Sequence, residues 1–240
     1  MVVADIKNFS KQQPLAAGIG FFDSIHLGHQ ELLRTVVAFA KANDCLPTVI
    51  TFDRDPAEVI SGREVKQFNT FAKRLKRFAE LGIETVLLIT FDRTVASLSP
   101  VAFIDNYLKP LNLQYLVCGF DFSFGQKGLG NSELLRNCCP FRVEVIPEIQ
   151  INHRKVATTW LKECVERADF ATIASLLKCP YSLLVDFDRG EIIDADRLLL
   201  PPDGKYPVRL AGGNSLIEIK GAKTVMSEGK ISGIHEVIFE

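Results

Sequence analysis

The sequence predicts an α/β fold: a doubly wound parallel sheet followed by a small β appendage. Three observations predict it. Short apolar runs alternate with stretches of helical period over most of the chain. Those runs are continuously apolar, as expected where helices cover both faces of a parallel sheet. After Pro180 the pattern changes to short strand-like runs separated by turn residues. The predicted division is 1–180 for the α/β domain and 181–240 for the β region.

The elements follow in order. Leu15 to Phe22 reads as a strand ending in a turn. Gly28 to Ala42 reads as a helix with Leu32, Leu33, Val36, Val37 and Ala40 at helical spacing. Pro47 to Phe52 is a buried strand. Asn69 to Leu81 is a helix bearing Lys73, Arg74, Lys76 and Arg77, a basic face expected in solvent, and Gly82 ends it. Thr85 to Thr90 is a strand, and Asp92 beyond it is a turn residue rather than a metal ligand. Ser99 caps a helix running to Leu108, with Pro100 in its first turn. Tyr115 to Gly119 and Arg142 to Pro147 are strands flanking a short helix, Ser132 to Asn137. Thr158 to Glu166 and Ala171 to Leu177 are helices. In the β region, Tyr181 to Asp186, Val208 to Leu210, Leu216 to Ile219 and Glu236 to Phe239 are strands. Asp-Arg-Gly, Pro-Pro-Asp-Gly, Gly-Gly-Asn and Ser-Glu-Gly turns separate them.

Composition narrows the function. Hydrophobic residues make up 47% of the 240 and charged residues 24%, enough for a core and too apolar for disorder. Lysine and arginine number 28 against 29 acidic residues, so no basic excess favours nucleic acid, and local groups must hold any anionic substrate. The six cysteines form no C-x-x-C pair and none lies near histidine at zinc spacing. They are expected to be buried free thiols in a reduced, cytoplasmic setting. Met1 to Ser10 lacks the apolar core of a secretory signal, and no apolar run is long enough to span a bilayer. No membrane partner and no protein-bound metal are expected.

The densest chemistry is the run from Gly18 through Ile19, Gly20, Phe21, Phe22, Asp23, Ser24, Ile25, His26, Leu27 and Gly28 to His29. It lies where the first strand passes into the first long helix. Helix N-terminal amides lack internal partners, and the macrodipole adds about half a positive charge there. Gly28 lets a phosphate approach the main chain. His26 and His29, at i and i+3, can face the same phosphate. Nucleotidyl transfer needs charge stabilisation and in-line positioning more than covalent participation, and two imidazole donors meet that need. The run is not a Walker loop. It is a poor dinucleotide fingerprint, because Asp23 stands where the third glycine belongs. The bland alternative is a helix start whose histidines only cap it.

At these residues the chain resembles the HxGH nucleotidyltransferases, and within them the FMN adenylyltransferase (FAD synthetase) module of bacterial bifunctional riboflavin kinase/FAD synthetases. Gly20 to His29 matches the family's G-x-FDG-x-H-x-GH stretch, with Ser24 for the usual glycine. Thr51-Phe52-Asp53-Arg54-Asp55-Pro56 stands for T-F-D-P-H-P. Ala96 to Pro100 with Phe103, and Gly119 to Gly125 with Gly128, also match. The resemblance implies a Rossmann-like sheet and the reaction of FMN with MgATP to give FAD and pyrophosphate. It implies that His26 and His29 stabilise the attacked α-phosphate. It places ATP against Gly18, Gly20, Phe21, Asp23 and Gly28, and the flavin or ribose against Asp53, Asp121, Phe122 and Phe124. The family's I-S-S-T-x-I-R element appears as Val156-Ala157-Thr158-Thr159-Trp160-Leu161-Lys162. Thr158, Thr159 and Lys162 are therefore further ATP-binding candidates. Ala157 replaces a serine, and Lys162 replaces an arginine whose planar fork grips phosphate in two places. Altered ATP handling follows, and a non-catalytic flavin- or nucleotide-binding descendant is the alternative reading. Arg197 to Val208 resembles part of the riboflavin kinase module, but no G-x-P-T-A-N string follows Tyr181. No riboflavin kinase activity is expected of this truncated region.

Overall fold

The computed structural model describes residues 1–9, 13–210, 212–221, 224–227 and 231–240, with the backbone alone at 224–227. It forms two compact units, residues 1–65 with 72–155, and residues 66–71 with 156–240.

The first unit carries β1 (Val2–Asp5), β2 (Leu15–Ile19), α1 (Leu27–Ala42), β3 (Leu46–Phe52), α2 (Pro56–Ser61), α3 (Phe71–Glu80) and β4 (Thr85–Ile89). α4 (Arg93–Ala96), α5 (Pro100–Phe103), β5 (Leu113–Gly119), α6 (Ser132–Cys138) and β6 (Arg142–Ile146) follow. The six strands form one sheet in the order β1-β4-β3-β2-β5-β6, and every pairing is parallel. This is the doubly wound α/β arrangement the apolar runs predict, and it is Rossmann-like as the resemblance implies. Every residue of β2 and β3 is buried. Alternate residues feed two cores. Ala16 and Val49 pack with Leu32, Leu33, Val36, Val37 and Ala40 of α1. Ala17, Ile19 and Ile50 pack with Phe103, Ile104, Tyr107 and Leu108 on the other face. Ser99 caps α5 through Ala102 N at 3.2 Å, and the helix continues as a π-turn over Ile104–Leu108.

From β2 the chain steps outward to β3 and β4, and β5 then returns to the other side of β2. The strand order reverses between β2 and β5. In such sheets the crevice beyond the carboxyl ends at this switch point holds the ligand. The connections that start there are residues 20–26 and residues 120–131.

A hairpin, β7 (Gln150–Ile151) with β8 (Arg154–Lys155), closes the unit. Asn152 and His153 turn it at φ 51° and 62°, the pair of positive values a type I′ turn requires. Sequence patterning misses β1, this hairpin and α2 because all are short.

The second unit holds α7 (Thr158–Glu166), α8 (Phe170–Leu177) and six antiparallel strands. These are β9 (Ser182–Asp186), β10 (Glu191–Ile192), β11 (Gly204–Leu210), β12 (Gly213–Lys220), β13 (Thr224–Ser227) and β14 (Ile234–Phe239). They close into a barrel in the order β10-β13-β12-β11-β14-β9. The four expected strands are present, and β10 and β13 complete the closure. Of the expected Ser-Glu-Gly turn, Glu228 and Gly229 lie outside the described residues, as does Ser10 near the N-terminus.

The division falls at 155/156 rather than at 180. Phe170 of α8 packs on Tyr181 at 5.7 Å and on Phe239 at 4.7 Å, centroid to centroid, so this helix belongs with the barrel. Residues 66–71 join it through backbone bonds from Gln67 N to Arg197 O and from Leu199 N to Gln67 O. In sequence, α7 and α8 read as further turns of the α/β alternation because their packing partners are distant along the chain.

No disulfide joins the six cysteines, and Cys45, Cys118 and Cys164 are buried. Among the described residues, no helix is long and apolar enough to cross a membrane.

Candidate active site

β2 ends at Ile19, and residues 20–26 lead into α1. Gly18 is buried inside β2, where a Cβ would lie 2.6 Å from Leu32 Cδ2. Its bareness lets α1 lie close on the sheet. Gly20 N donates to Ile50 O at 3.1 Å. Phe22 and Ile25 both adopt left-handed backbone, φ 56° and 51°, although neither is glycine and Ile25 is β-branched. Such strain persists only where surroundings enforce it. Both side chains are 1% exposed, and Phe22 sits edge-on to Phe78 and to His29. Asp23 and Ser24 are buried within the same turn.

His26 is the N-cap of α1, and its Nδ1 accepts from His29 N at 3.4 Å. The first helical bond runs from Gln30 N to His26 O at 2.8 Å, so the amides of Leu27 and Gly28 precede the ladder. A Cβ on Gly28 would lie 3.2 Å from His26 Cε1. The bareness of Gly28 thus admits the imidazole. The two rings stack at 3.9 Å between centroids and 12° between planes.

Both rings are neutral at physiological pH. Burial pushes His26 down to about 4, with Asp121 opposing the shift and Lys155 adding to it. Burial pushes His29 well below its ordinary value, and His26 and Arg74 add to the effect. With Nδ1 of His26 accepting, its proton sits on Nε2, which becomes a donor. Nδ1 of His29 is buried and has no hydrogen-bond partner among the described residues. A neutral helix cap thus serves also as a donor; capping and phosphate recognition are not exclusive.

Arg74 is the buried cation of this site that sequence reasoning missed. The basic face of α3 was expected in solvent, yet Arg74 is 1% exposed. Its Nη2 donates to Thr51 Oγ1 at 3.2 Å, and its guanidinium lies 4.6 Å from the centre of the Phe21 ring. Burial lowers its pKa to about 10, with Asp23 and Asp55 opposing, so it stays cationic. Its i+4 neighbour Phe78 is wholly buried. Membership of that apolar stripe was the available signal.

Residues 120–131 form the other wall of the switch point. Asp121 is exposed and pairs with Lys155 of β8 at 2.6 Å, while Lys155 Nζ lies 4.5 Å from the Phe120 ring centre. Phe124 is a core side chain, 6% exposed, packed on Phe103 and held by a two-way bridge with Gly130. Phe122 stacks on it at 5.7 Å and remains part-exposed. Of the flavin candidates, Phe122 and Asp121 are accessible, and Phe124 supports them. Asp53 accepts from Phe91 N at 2.8 Å, tying the ends of β3 and β4. Asp92 caps α4 through Val95 N.

Thr158, Thr159 and Lys162 belong to the second unit. They stand in the first turns of α7, whose N-cap Ala157 makes no side-chain cap bond. Thr159 is exposed, Thr158 is part-buried, and Lys162 Nζ donates to Lys66 O at 2.5 Å.

A parallel sheet with paired neutral imidazoles on a helix N-terminus at its switch point is the arrangement the HxGH resemblance implies. Comparison with known proteins gives the family. The FAD synthetase model matches residues 8–160. The chain belongs to the FAD synthetase family. It is 30% identical over 183 residues to a bifunctional riboflavin kinase/FMN adenylyltransferase of Listeria monocytogenes, covering 75% of this chain and 57% of that protein. It is 29% identical over 193 residues to an FAD synthetase of the same species, covering 78% of each. A crystal structure titled macrolide-efflux protein, from Streptococcus pneumoniae, matches 100% of this chain and 89% of its own, with TM-score 0.85 and 22% identity. That likeness concerns the fold.

Proposed function

We propose that this protein is an FMN adenylyltransferase. A phosphate oxygen of FMN attacks the α-phosphorus of MgATP. The bond to the β-bridging oxygen breaks, pyrophosphate leaves, and FAD is the product. The stacked, neutral His26–His29 pair at the N-terminus of α1, in a chain of this family, carries the reading. The ring N–H groups of His26 and His29 and the amides of Leu27 and Gly28 would donate to α-phosphate oxygens as charge builds there. The flavin phosphate is ionised near neutral pH and needs no strong base. Magnesium arrives with the nucleotide, whose phosphates supply its hard oxygen ligands. Gly20, Phe21 and Asp23 shape the ATP side, and Thr158, Thr159 and Lys162 are further ATP contacts. Asp121 and Phe122 face the flavin, while Asp53 and Phe124 hold the strand ends and aromatic support behind them. The setting is cytoplasmic, and the substrates are small molecules.

The barrel is proposed to lack riboflavin kinase activity, because no G-x-P-T-A-N string follows Tyr181. Ala157 and the engagement of Lys162 with a backbone carbonyl favour a second reading, a flavin or nucleotide binder without turnover. One incubation separates them. Chromatography should find FAD from FMN with MgATP and no FMN from riboflavin with MgATP. Thermal stabilisation by FMN or ATP without any FAD would favour the binder.

A further inference from the structure

The β2–α1 turn holds two strained residues, and a buried polar side chain takes a carbonyl beside each. Gln30 Nε2 donates to the carbonyl of Ile25 at 3.0 Å, and Gln30 in turn accepts from Arg34 at 3.1 Å. On the other side, Thr51 Oγ1 donates to the carbonyl of Phe21, immediately before Phe22, at 3.0 Å. Thr51 belongs to β3, thirty residues away, and is wholly buried. Its hydroxyl oxygen accepts from Arg74 of α3. Three elements therefore converge on one backbone carbonyl through the chain Arg74 to Thr51 to Phe21. Hydrogen bonds in series polarise one another, and a low-dielectric surrounding strengthens them. The same guanidinium lies over the Phe21 ring, and the Asp23 and Asp55 charges act to keep it cationic.

We infer that Thr51 and Arg74 are positioning residues, a buried relay that holds the strained Phe21–Ile25 turn and so sets the His26–His29 pair for transfer. The inference rests on the function proposed above. Neither residue need touch substrate. Phe22, displaced if the carbonyl before it were released, backs the His29 ring at 5.1 Å. A shift of about 1 Å in a donor is enough to cost on the order of a hundredfold in rate.

Thr51→Val removes the hydroxyl at nearly constant shape, Thr51→Ser keeps it, and Arg74→Lys keeps the charge but not the planar fork. The measurements are steady-state kinetics of FAD formation and NMR of the two imidazole rings. Thr51→Val should lower kcat roughly 10- to 100-fold while KM for MgATP stays within about twofold, as expected for lost positioning rather than lost binding. Its His26 and His29 ring signals should move, and Thr51→Ser should restore both readouts. Arg74→Lys should fall between. Wild-type ring signals in Thr51→Val, with only a lower melting temperature, would overturn the relay. If the wild-type protein makes no FAD, the proposed function fails, and the ring signals alone decide the relay.

Discussion

The β2–α1 turn and the C-terminal barrel differ in how they use polar groups and backbone. The turn buries Asp23, Ser24, Thr51 and Arg74 and bends two non-glycine residues into left-handed conformation. The barrel follows simple alternation. Val208 and Leu210, Ile217 and Ile219, and Val237 and Phe239 point inward, while Lys205, Arg209 and Glu236 are exposed. Folding alone demands no buried charge or left-handed isoleucine, so their concentration in one turn marks a site. The barrel is the kind of structure hydrophobic patterning builds without functional compromise.

The sharpest test contrasts one substitution in each region. His29→Ala removes a ring from the stacked pair, and loss of one transition-state donor costs on the order of 100- to 1000-fold in kcat. Its melting temperature should change little by comparison. Val237→Ala removes two methyl groups from a fully buried barrel position. It should destabilise the protein by about 2 kcal/mol, read by denaturant titration, with kcat per folded molecule unchanged. An active His29→Ala enzyme, or a Val237→Ala enzyme that folds well and turns over slowly, would break the contrast.

The imidazoles also predict a pH dependence. Each folded-state value lies below the ordinary 6.5, about 4 for His26 and well below 6.5 for His29. The unfolded chain then binds more protons than the folded one as pH falls below 6.5. The contribution is fully present above pH 6.5 and is lost as pH falls through about 4, where His26 protonates. The melting temperature should drop across that window and His26→Asn should flatten the drop. Above about pH 8, where both states are deprotonated, this pair should contribute no slope. A barrel variant such as Val237→Ala should shift the whole curve without changing its form.

The same contrast explains what the sequence made legible. The sheet strands, α1 and the HxGH turn are local patterns, with continuous apolar runs, helical spacing and a glycine between histidines. Arg74 escaped because its burial depends on α3 meeting the end of β3, a contact between residues 22 positions apart in sequence. Gly18 and Gly28 are legible as part of the motif, but their packing role is not. Only packing shows that Leu32 and the His26 ring occupy the space a side chain would take. Barrel closure was hidden because β10 spans two residues and β13 four, too few to display a period.

The smallest expected effect concerns the start of α7. Every other helix with a side-chain cap in the described residues uses Asp, Asn, Ser or His, whereas Ala157 leaves its N-cap without a side-chain bond. Its extended backbone, φ −147° and ψ 159°, already suits a capping serine. Ala157→Ser should therefore stabilise the protein by about 0.5–2 kcal/mol, measured as a higher melting temperature. The kinetic arm is more telling. If α7 presents its first turn to the nucleotide, the added hydroxyl should lower KM for MgATP while leaving kcat close to wild type. A gain in stability with no change in KM would assign Ala157 to folding alone and leave nucleotide binding to the β2–α1 turn.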